Sequence, residues 1–217
     1  MHLLFDLDGT LTDPFQGITR SIQYALEALG QPPPPAEALR WCIGPPLKKS
    51  FLTLLGPGSE ADAEMALAKY RERFSSVGLY ENAVFPGIAE MLEELCQSAH
   101  TLHVATSKPT VFAREIIDHF GLAKYFHSVH GSELDGTRSD KTCLIAHLLA
   151  HEGIPPQAAL MIGDREHDMI GARQNQVAGL GVLWGYGTRD ELEAAGAFAC
   201  AASPGELPSH CRDFSGS

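Results

Sequence analysis

From residue 85 to about residue 200 the chain alternates short apolar runs with segments whose hydrophobic residues recur at helical spacing. That alternation restricts the fold more than any other feature of the sequence. After Phe85-Pro86-Gly87 a helical segment over 88–98 leads to TLHVAT (101–106), and a helix over 110–120 stops at Gly121 before a short strand at 125–130. A helix over 141–151 precedes AALMIG (158–163), one over 166–175 precedes GLGVLW (179–184), and a weaker helix and strand end near Cys200. Parallel strands need a crossover between them, so this pattern predicts an α/β fold, a doubly wound parallel sheet covered on both faces. The opening run HLLFDLD, cut off by Gly9, reads as a further buried strand. Ligands of such sheets bind beyond the carboxyl ends of the strands. The residues at those ends are Asp6 and Asp8, Thr106 and Ser107, and Gly163 and Asp164.

Residues 15–82 break the alternation. Ile18, Ile22, Leu26 and Leu29 recur at helical spacing until Gly30 and the prolines at 32–35 stop the helix. A second helical pattern covers about 36–42, IGPPLKKSF interrupts it with a Gly-Pro-Pro turn, and 60–76 are helical again as far as Gly78. The expected organisation is a core of residues 1–14 and 83–217 carrying an all-helical insert, 15–82. The stretch from about 203, SPGELPSHCRDFSGS, is polar and turn-rich and is predicted to fray.

A chain of 217 residues, 44% hydrophobic, supports one core domain and a smaller appendage. Its net charge of -11 repels polyanions, which argues against a nucleic-acid polymer as partner. No apolar stretch approaches the roughly 18 residues that span a bilayer, and the acidic start lacks a signal-peptide pattern. A soluble cytoplasmic protein without a membrane partner is expected. The five cysteines (Cys42, Cys96, Cys143, Cys200, Cys211) are scattered and never paired as CxxC, which suits reduced thiols. No apolar stripe stands out from the core helices, so the oligomeric state stays open.

The acidic residues carry the chemistry. Two unit charges about 4 Å apart repel by roughly 4 kcal/mol at an effective dielectric of 20, so a cluster of Asp6, Asp8 and Asp164 requires a cation. An all-carboxylate site without His or Cys suits a hard divalent ion, most naturally Mg2+. Such an ion draws in a phosphate, and Lys141 with the hydroxyl and N–H groups of Thr106 and Ser107 are placed to hold its oxygens.

DLDGTLTD resembles the first motif, DxDGTLxD, of the haloacid dehalogenase superfamily of phosphohydrolases. VATSKP resembles its second motif, Lys141 in GTRSDK its third, and MIGDREHD its fourth, GDxxxD, all in order along the chain. The resemblance implies a Rossmann-like core with a small helical cap, and GI..SIQYALEALG and IGPPL are similar to caps of the phosphoglycolate phosphatase-like branch. It further implies a magnesium-dependent phosphatase acting on a small-molecule phosphate monoester, phosphoglycolate or a nucleoside monophosphate being the substrates to test first. Under it Asp6 is the nucleophile that forms an aspartyl phosphate, and Asp8 the acid and then the base. Thr106, Ser107 and Lys141 hold phosphate, Asp6, the Asp8 carbonyl and Asp164 ligate Mg2+, and Asp168 orients Lys141 or a metal-bound water. A phosphonate hydrolase or a dehalogenase of this superfamily would lack Asp8. A phosphosugar mutase of the β-phosphoglucomutase kind shares every motif, and a non-catalytic binding or regulatory protein with this fold is the alternative from another class.

The remaining polar residues read more plainly. Asp13 is expected to cap the first insert helix and Lys108 to be a surface charge. Arg165 and His167 stand between helix-end packing and an effect on catalysis. Arg40, Gly44, Pro45 and Lys48, beside Pro46, are candidates for reading the leaving group, or for forming a turn between two insert helices. His147 and His151 lie four apart, a spacing that binds metals, yet no carboxylate lies between them and their helix is expected to pack on the sheet.

Overall fold

A computed structural model describes residues 1–98 and 100–215, which form two compact units, Met1–Asp13 with Val84–Ser217, and Pro14–Ala83. The chain begins with β1 (His2–Phe5) and β2 (Thr12–Asp13), then enters the helical unit with α1 (Phe15–Ala28), α2 (Leu47–Leu55) and α3 (Glu60–Arg73). It returns through β3 (Ala83–Val84) to α4 (Ile88–Gln97), β4 (Thr101–Pro109), α5 (Thr110–His119), β5 (Ser128–Ser132) and α6 (Lys141–Glu152). The final elements are β6 (Ala159–Gly163), α7 (Glu166–Gln174), β7 (Ala178–Val182), α8 (Arg189–Ala195), β8 (Ala199–Ala201) and α9 (Leu207–Ser215).

The main sheet is parallel throughout, in the order β5-β4-β1-β6-β7-β8. β1 lies in the middle because HLLF is apolar on both faces, as a strand covered by helices on either side must be. Leu3, Leu4 and Phe5 are wholly buried, and Leu4 packs with Ala105, Ile145, Leu148, Met161 and Ala172 beneath α6 and α7. The chain winds outward from β1 through β4 to β5, then restarts on the other side at β6. That reversal is the point at which doubly wound sheets bind ligands. β2 and β3 form a separate two-stranded ribbon where the chain leaves and re-enters this unit.

In the helical unit Ile18, Ile22 and Leu26 of α1 are buried, as are Ala63, Ala66 and Tyr70 of α3. Tyr70 stacks on Phe74 at 5.1 Å and meets the edge of Phe51 at 6.3 Å. A side chain on Gly17 would stand 2.0 Å from the Gly78 carbonyl, so two glycines allow α1 and the end of the α3 segment to touch. Arg73 grips both carboxylate oxygens of Glu81, at 2.7 and 3.1 Å, in the planar fork geometry of guanidinium pairs.

Three expectations require correction. The Gly-Pro-Pro segment does not merely interrupt a helix but starts one, α2, because Pro46 stands immediately before Leu47, where its missing N–H costs no helical hydrogen bond. The helical pattern at 36–42 is a 3-10 helix. The tail as far as Ser215 is helical, with Leu207 and Cys211, four apart, both buried where α9 packs on α4. No disulfide forms among the described residues, and none of their helices is long and apolar enough to cross a membrane.

Candidate active site

The loop after β1 is tied down before it reaches any ligand. The Asp6 N–H donates to the Ile162 carbonyl at 2.9 Å, and the N–H groups of Thr10, Leu11 and Thr12 converge on the Leu7 carbonyl at 3.3, 2.9 and 3.0 Å. Gly9 sits at φ +88°, and a Cβ there would lie 2.2 Å from Asp164 Oδ2. Backbone conformation and close approach both demand glycine at this position.

Asp6, Asp164 and Asp168 come together, each offering an oxygen within 4.8 Å of the other two, and all three are buried. Lys141 binds the cluster from the first turn of α6, where the Asp140 side chain caps the helix by accepting from the N–H groups of Thr142 and Cys143. The Lys141 ammonium lies 2.7 Å from Asp168 Oδ1 and 3.0 Å from Asp6 Oδ1, and donates to the Ala105 carbonyl at 3.0 Å. Burial alone would lower the pKa of Lys141, but Asp168 and Asp6 outweigh it and hold the ammonium above its ordinary value. Burial pushes Asp168 up to about 6 against the opposing pull of Lys141. Burial, together with the charges of Asp168 and Asp6, drives Asp164 well above the usual carboxylate range.

Asp8 stands apart from that trio. Its Oδ2 pairs with the Lys108 ammonium at 2.7 Å, and both side chains are buried. The expectation of a surface charge at Lys108 is wrong because β4 continues to Pro109, three residues beyond its predicted end, so Lys108 turns inward like Thr106. Burial raises the Asp8 carboxyl, and Lys108 opposes the shift. Thr106 is buried, and its hydroxyl oxygen accepts from the Lys108 N–H at 3.2 Å, while the Ser107 carbonyl accepts from Ser132 Oγ at 2.8 Å.

Asp13 is not a helix cap. Pro14 occupies the position before α1 and no side chain caps that helix; Asp13 accepts the hydroxyl of Tyr186 instead. The sequence reading missed the segment containing Tyr186 altogether. In Trp184–Gly187, Tyr186 N–H donates to Asp164 Oδ2 at 2.8 Å and Trp184 Nε1 to the Thr10 carbonyl at 2.9 Å. A Cβ on Gly185 would lie 2.3 Å from the Gly9 carbonyl, and one on Gly187 2.0 Å from that of Asp164. The signal was the WGYG alternation of bulky residue and glycine at a strand end.

Arg165 pairs with Glu191 at 2.9 Å and occupies the position before α7, whose Asp168 accepts the Arg165 backbone N–H at 3.1 Å. In the helical unit Arg40 lies over the Phe15 ring at 5.3 Å and 3.6 Å from Glu37, Gly44 takes φ +103°, Pro45 precedes α2, and Lys48 pairs with Glu64.

Four buried carboxylates and two buried ammonium groups at the reversal of a parallel sheet define a hydrolase site of the haloacid dehalogenase-like kind. The chain belongs to that family: the haloacid dehalogenase-like hydrolases match it over residues 3–182. It is 55% identical over 89% of its length to a 5'-nucleotidase of Pseudomonas aeruginosa, covering 87% of that protein. Over 88% of its length it is 38% identical to the tyrosine-protein kinase PtkA of Mycobacterium tuberculosis, covering 65% of it. A phosphoglycolate phosphatase of Caulobacter vibrioides is 32% identical over 96% of the chain and 90% of its own length. A crystal structure described as a predicted phosphatase from Clostridium acetobutylicum superposes with a TM-score of 0.94, at 42% identity and 98% coverage of each chain. The chain is a phosphatase of this family, a phosphoric monoester hydrolase.

Proposed function

We propose that the protein hydrolyses a nucleoside 5'-monophosphate with the help of Mg2+, through a phosphoryl group held briefly on Asp6. The observation that carries this reading is the bracing of Asp6 and Asp168 by one buried ammonium, with Asp164 beside them. Nucleoside monophosphates take precedence over phosphoglycolate because the 5'-nucleotidase is 55% identical to this chain over 193 aligned residues and the phosphoglycolate phosphatase 32% over 217.

The donor set fits the ion. Asp6, Asp164 and Asp168 offer only carboxylate oxygens, the ligands a hard cation prefers, and their crowding in a buried site needs positive charge beyond Lys141. Asp6 and Asp164, with the Asp8 carbonyl, would hold it, and when bound it supplies positive charge to the phosphoryl oxygens. An Asp6 oxygen attacks phosphorus as the bond to the leaving oxygen breaks, and Asp8 gives that oxygen its proton. Water then attacks the phosphorus of the aspartyl phosphate, gives its proton to Asp8 and releases inorganic phosphate with Asp6 restored. Burial, which lifts the Asp8 carboxyl, favours its holding a proton before the first step. Lys141 and the Thr106 and Ser107 groups hold the phosphate, and Asp168 positions Lys141. Leaving-group selection is assigned to the helical unit, with Arg40, Gly44, Pro45 and Lys48 as the residues to substitute.

Phosphate release is to be measured with Mg2+ over nucleoside 5'-monophosphates, phosphoglycolate, glucose 1-phosphate and p-nitrophenyl phosphate. Nucleotides are expected to be turned over best, with Asp6→Asn inactive. Preference for phosphoglycolate overturns the substrate reading, an isomerised sugar phosphate in place of free phosphate identifies a mutase, and activity in Asp6→Asn removes the nucleophile.

A further inference from the structure

Four of the ten histidines gather at a second place, at the start of and along the outer strand β5 and on the last two turns of α6. His127, His130, His147, His151 and Glu152 line a cleft of about 460 Å³. His130 is buried, and its Nε2 lies 2.8 Å from Glu152 Oε1; His151 Nδ1 approaches the same oxygen at 3.3 Å. The ring of His147 is centred 5.9 Å from that of His130 and 5.8 Å from that of His151. Ser128 Oγ lies 3.0 Å from His130 Nε2, and His127 Nε2 lies 3.4 Å from Glu152 Oε2.

We propose that His130, His151 and Glu152, with His147 as the fourth donor, bind a divalent transition-metal ion of the zinc class at a site separate from the acidic cluster. Donor atoms of His130, His151 and Glu152 already lie within 4.8 Å of one another. Bonds of about 2.0–2.1 Å at tetrahedral angles place donors about 3.3 Å apart, so small side-chain movements close the shell. The missing carboxylate between His147 and His151 is supplied from just beyond them, by Glu152, and the third imidazole by the neighbouring strand. Two imidazoles from one helix at i and i+4, joined by a His and a carboxylate, make the mixed nitrogen and oxygen set that selects zinc, cobalt, nickel or copper over magnesium. The all-oxygen cluster of Asp6, Asp164 and Asp168 has the opposite preference. Two arginines, Arg114 and Arg138, stand at the wall of the cleft, and Arg138 pairs with Glu133. A bound ion would tie β5 to the end of the helix whose first turn carries Lys141.

The test is titration of the whole protein with Co2+ and then Zn2+ in a large excess of Mg2+, which occupies the acidic cluster. One equivalent of Co2+ is expected to give the intense visible bands of a four-coordinate nitrogen-ligated ion, and Zn2+ to abolish them. His147→Ala with His151→Ala, both at the cleft, should weaken binding at least about 100-fold, since even loss of an outer-sphere partner costs 10–100-fold. Phosphatase activity with Mg2+ should stay at the wild-type level in that variant. His151→Gln alone, at an exposed position, repeats the test with minimal risk to folding. A featureless Co2+ spectrum, no zinc retained against Mg2+, or equal affinity in the wild type and the variants overturns the proposal, whether or not the phosphatase reading stands.

Discussion

Replacing Lys141 by Met asks whether one ammonium holds the acidic cluster in the fold. At 2.7 Å from Asp168 and 3.0 Å from Asp6 it gains about 6 kcal/mol from each carboxylate at an effective dielectric of 20. Desolvation of the three buried ions opposes most of that, which leaves a net loss of about 3–5 kcal/mol when such a group is broken. Methionine keeps nearly the same volume beside Gly171, so the change reports charge more than packing. At roughly 2–4 °C per kcal/mol for a chain of this size, the melting temperature should fall by about 10 °C near pH 8.

The pH dependence carries a definite sign. Asp168 and Asp164 already titrate above the ordinary carboxylate range, and losing Lys141, the cation that opposes the shift at Asp168, raises that carboxyl further. A carboxyl with a folded pKa above its unfolded one binds more protons folded than unfolded across that interval, so stability falls as pH rises through it. The Lys141→Met deficit should therefore shrink between about pH 8 and about pH 5.5, and Mg2+ should restore part of it at the higher pH. Thermal denaturation by circular dichroism at both values, with and without Mg2+, checks this. A wild-type melting temperature near pH 8, or a deficit that grows on acidification, refutes the reasoning.

Gly163→Ala puts a Cβ 2.2 Å from Asp168 Oδ2 and 2.5 Å from its Cβ, which displaces the partner of Lys141. Steady-state kinetics should show kcat reduced by about 100-fold, the order expected when a catalytic group is misplaced by about 1 Å. His103, almost wholly buried, has its pKa pulled down to about 4 by burial, so the unfolded chain binds the extra proton first. Stability of about 3 kcal/mol present above pH 6.5 should then be lost as pH falls to about 4, and urea midpoints for wild type and His103→Gln will show whether this slope belongs to His103. Ending the chain at Glu206 removes the buried Leu207 and Cys211 and should cost about 3 kcal/mol in urea unfolding.

The sheet was legible because strand and helix periods differ, and because Gly9, Gly121 and the prolines at 32–35 mark ends that local sterics enforce. What failed was the reading of breakers in context. Pro46 both stops one segment and starts the next, and the buried pair of Leu207 and Cys211 is too sparse a pattern to reveal a helix without its partner α4. At the site, Asp6, Asp164 and Lys141 could be picked out individually because each ends a strand or starts a helix, and Asp168 through the resemblance of GDREHD to the family's fourth motif. Pairings across the chain could not: Lys108 meets Asp8 only because β4 runs on past Thr106, and Tyr186 meets Asp13 across 173 positions. The same limit hid the histidine cluster, since the His147 and His151 pair shows in the sequence whereas His130 reaches them only through the position of β5 beside α6.

The charges at the site also divide the labour among the carboxylates. Lys141 serves Asp6 and Asp168, and Lys108 serves Asp8, while Asp164 accepts from neutral groups, the Tyr186 N–H and, at 3.4 Å, the Thr10 hydroxyl. With all four carboxylates ionised, the two ammonium groups leave two negative charges, which one divalent cation would neutralise. Asp164 is then the residue whose burial is least compensated without an ion, and Asp164→Asn should affect stability in two opposite ways. With a chelator present the variant should melt above the wild type, because a poorly compensated buried carboxylate has become an amide that still accepts the Tyr186 N–H. With Mg2+ at about a hundred times its dissociation constant the wild type should gain about 2.7 kcal/mol, and the variant should gain almost none. Melting curves of both proteins in chelator and in Mg2+ decide it: a variant that keeps the magnesium-dependent rise, or that melts below the wild type in chelator, shows that Asp164 is not the carboxylate the ion compensates.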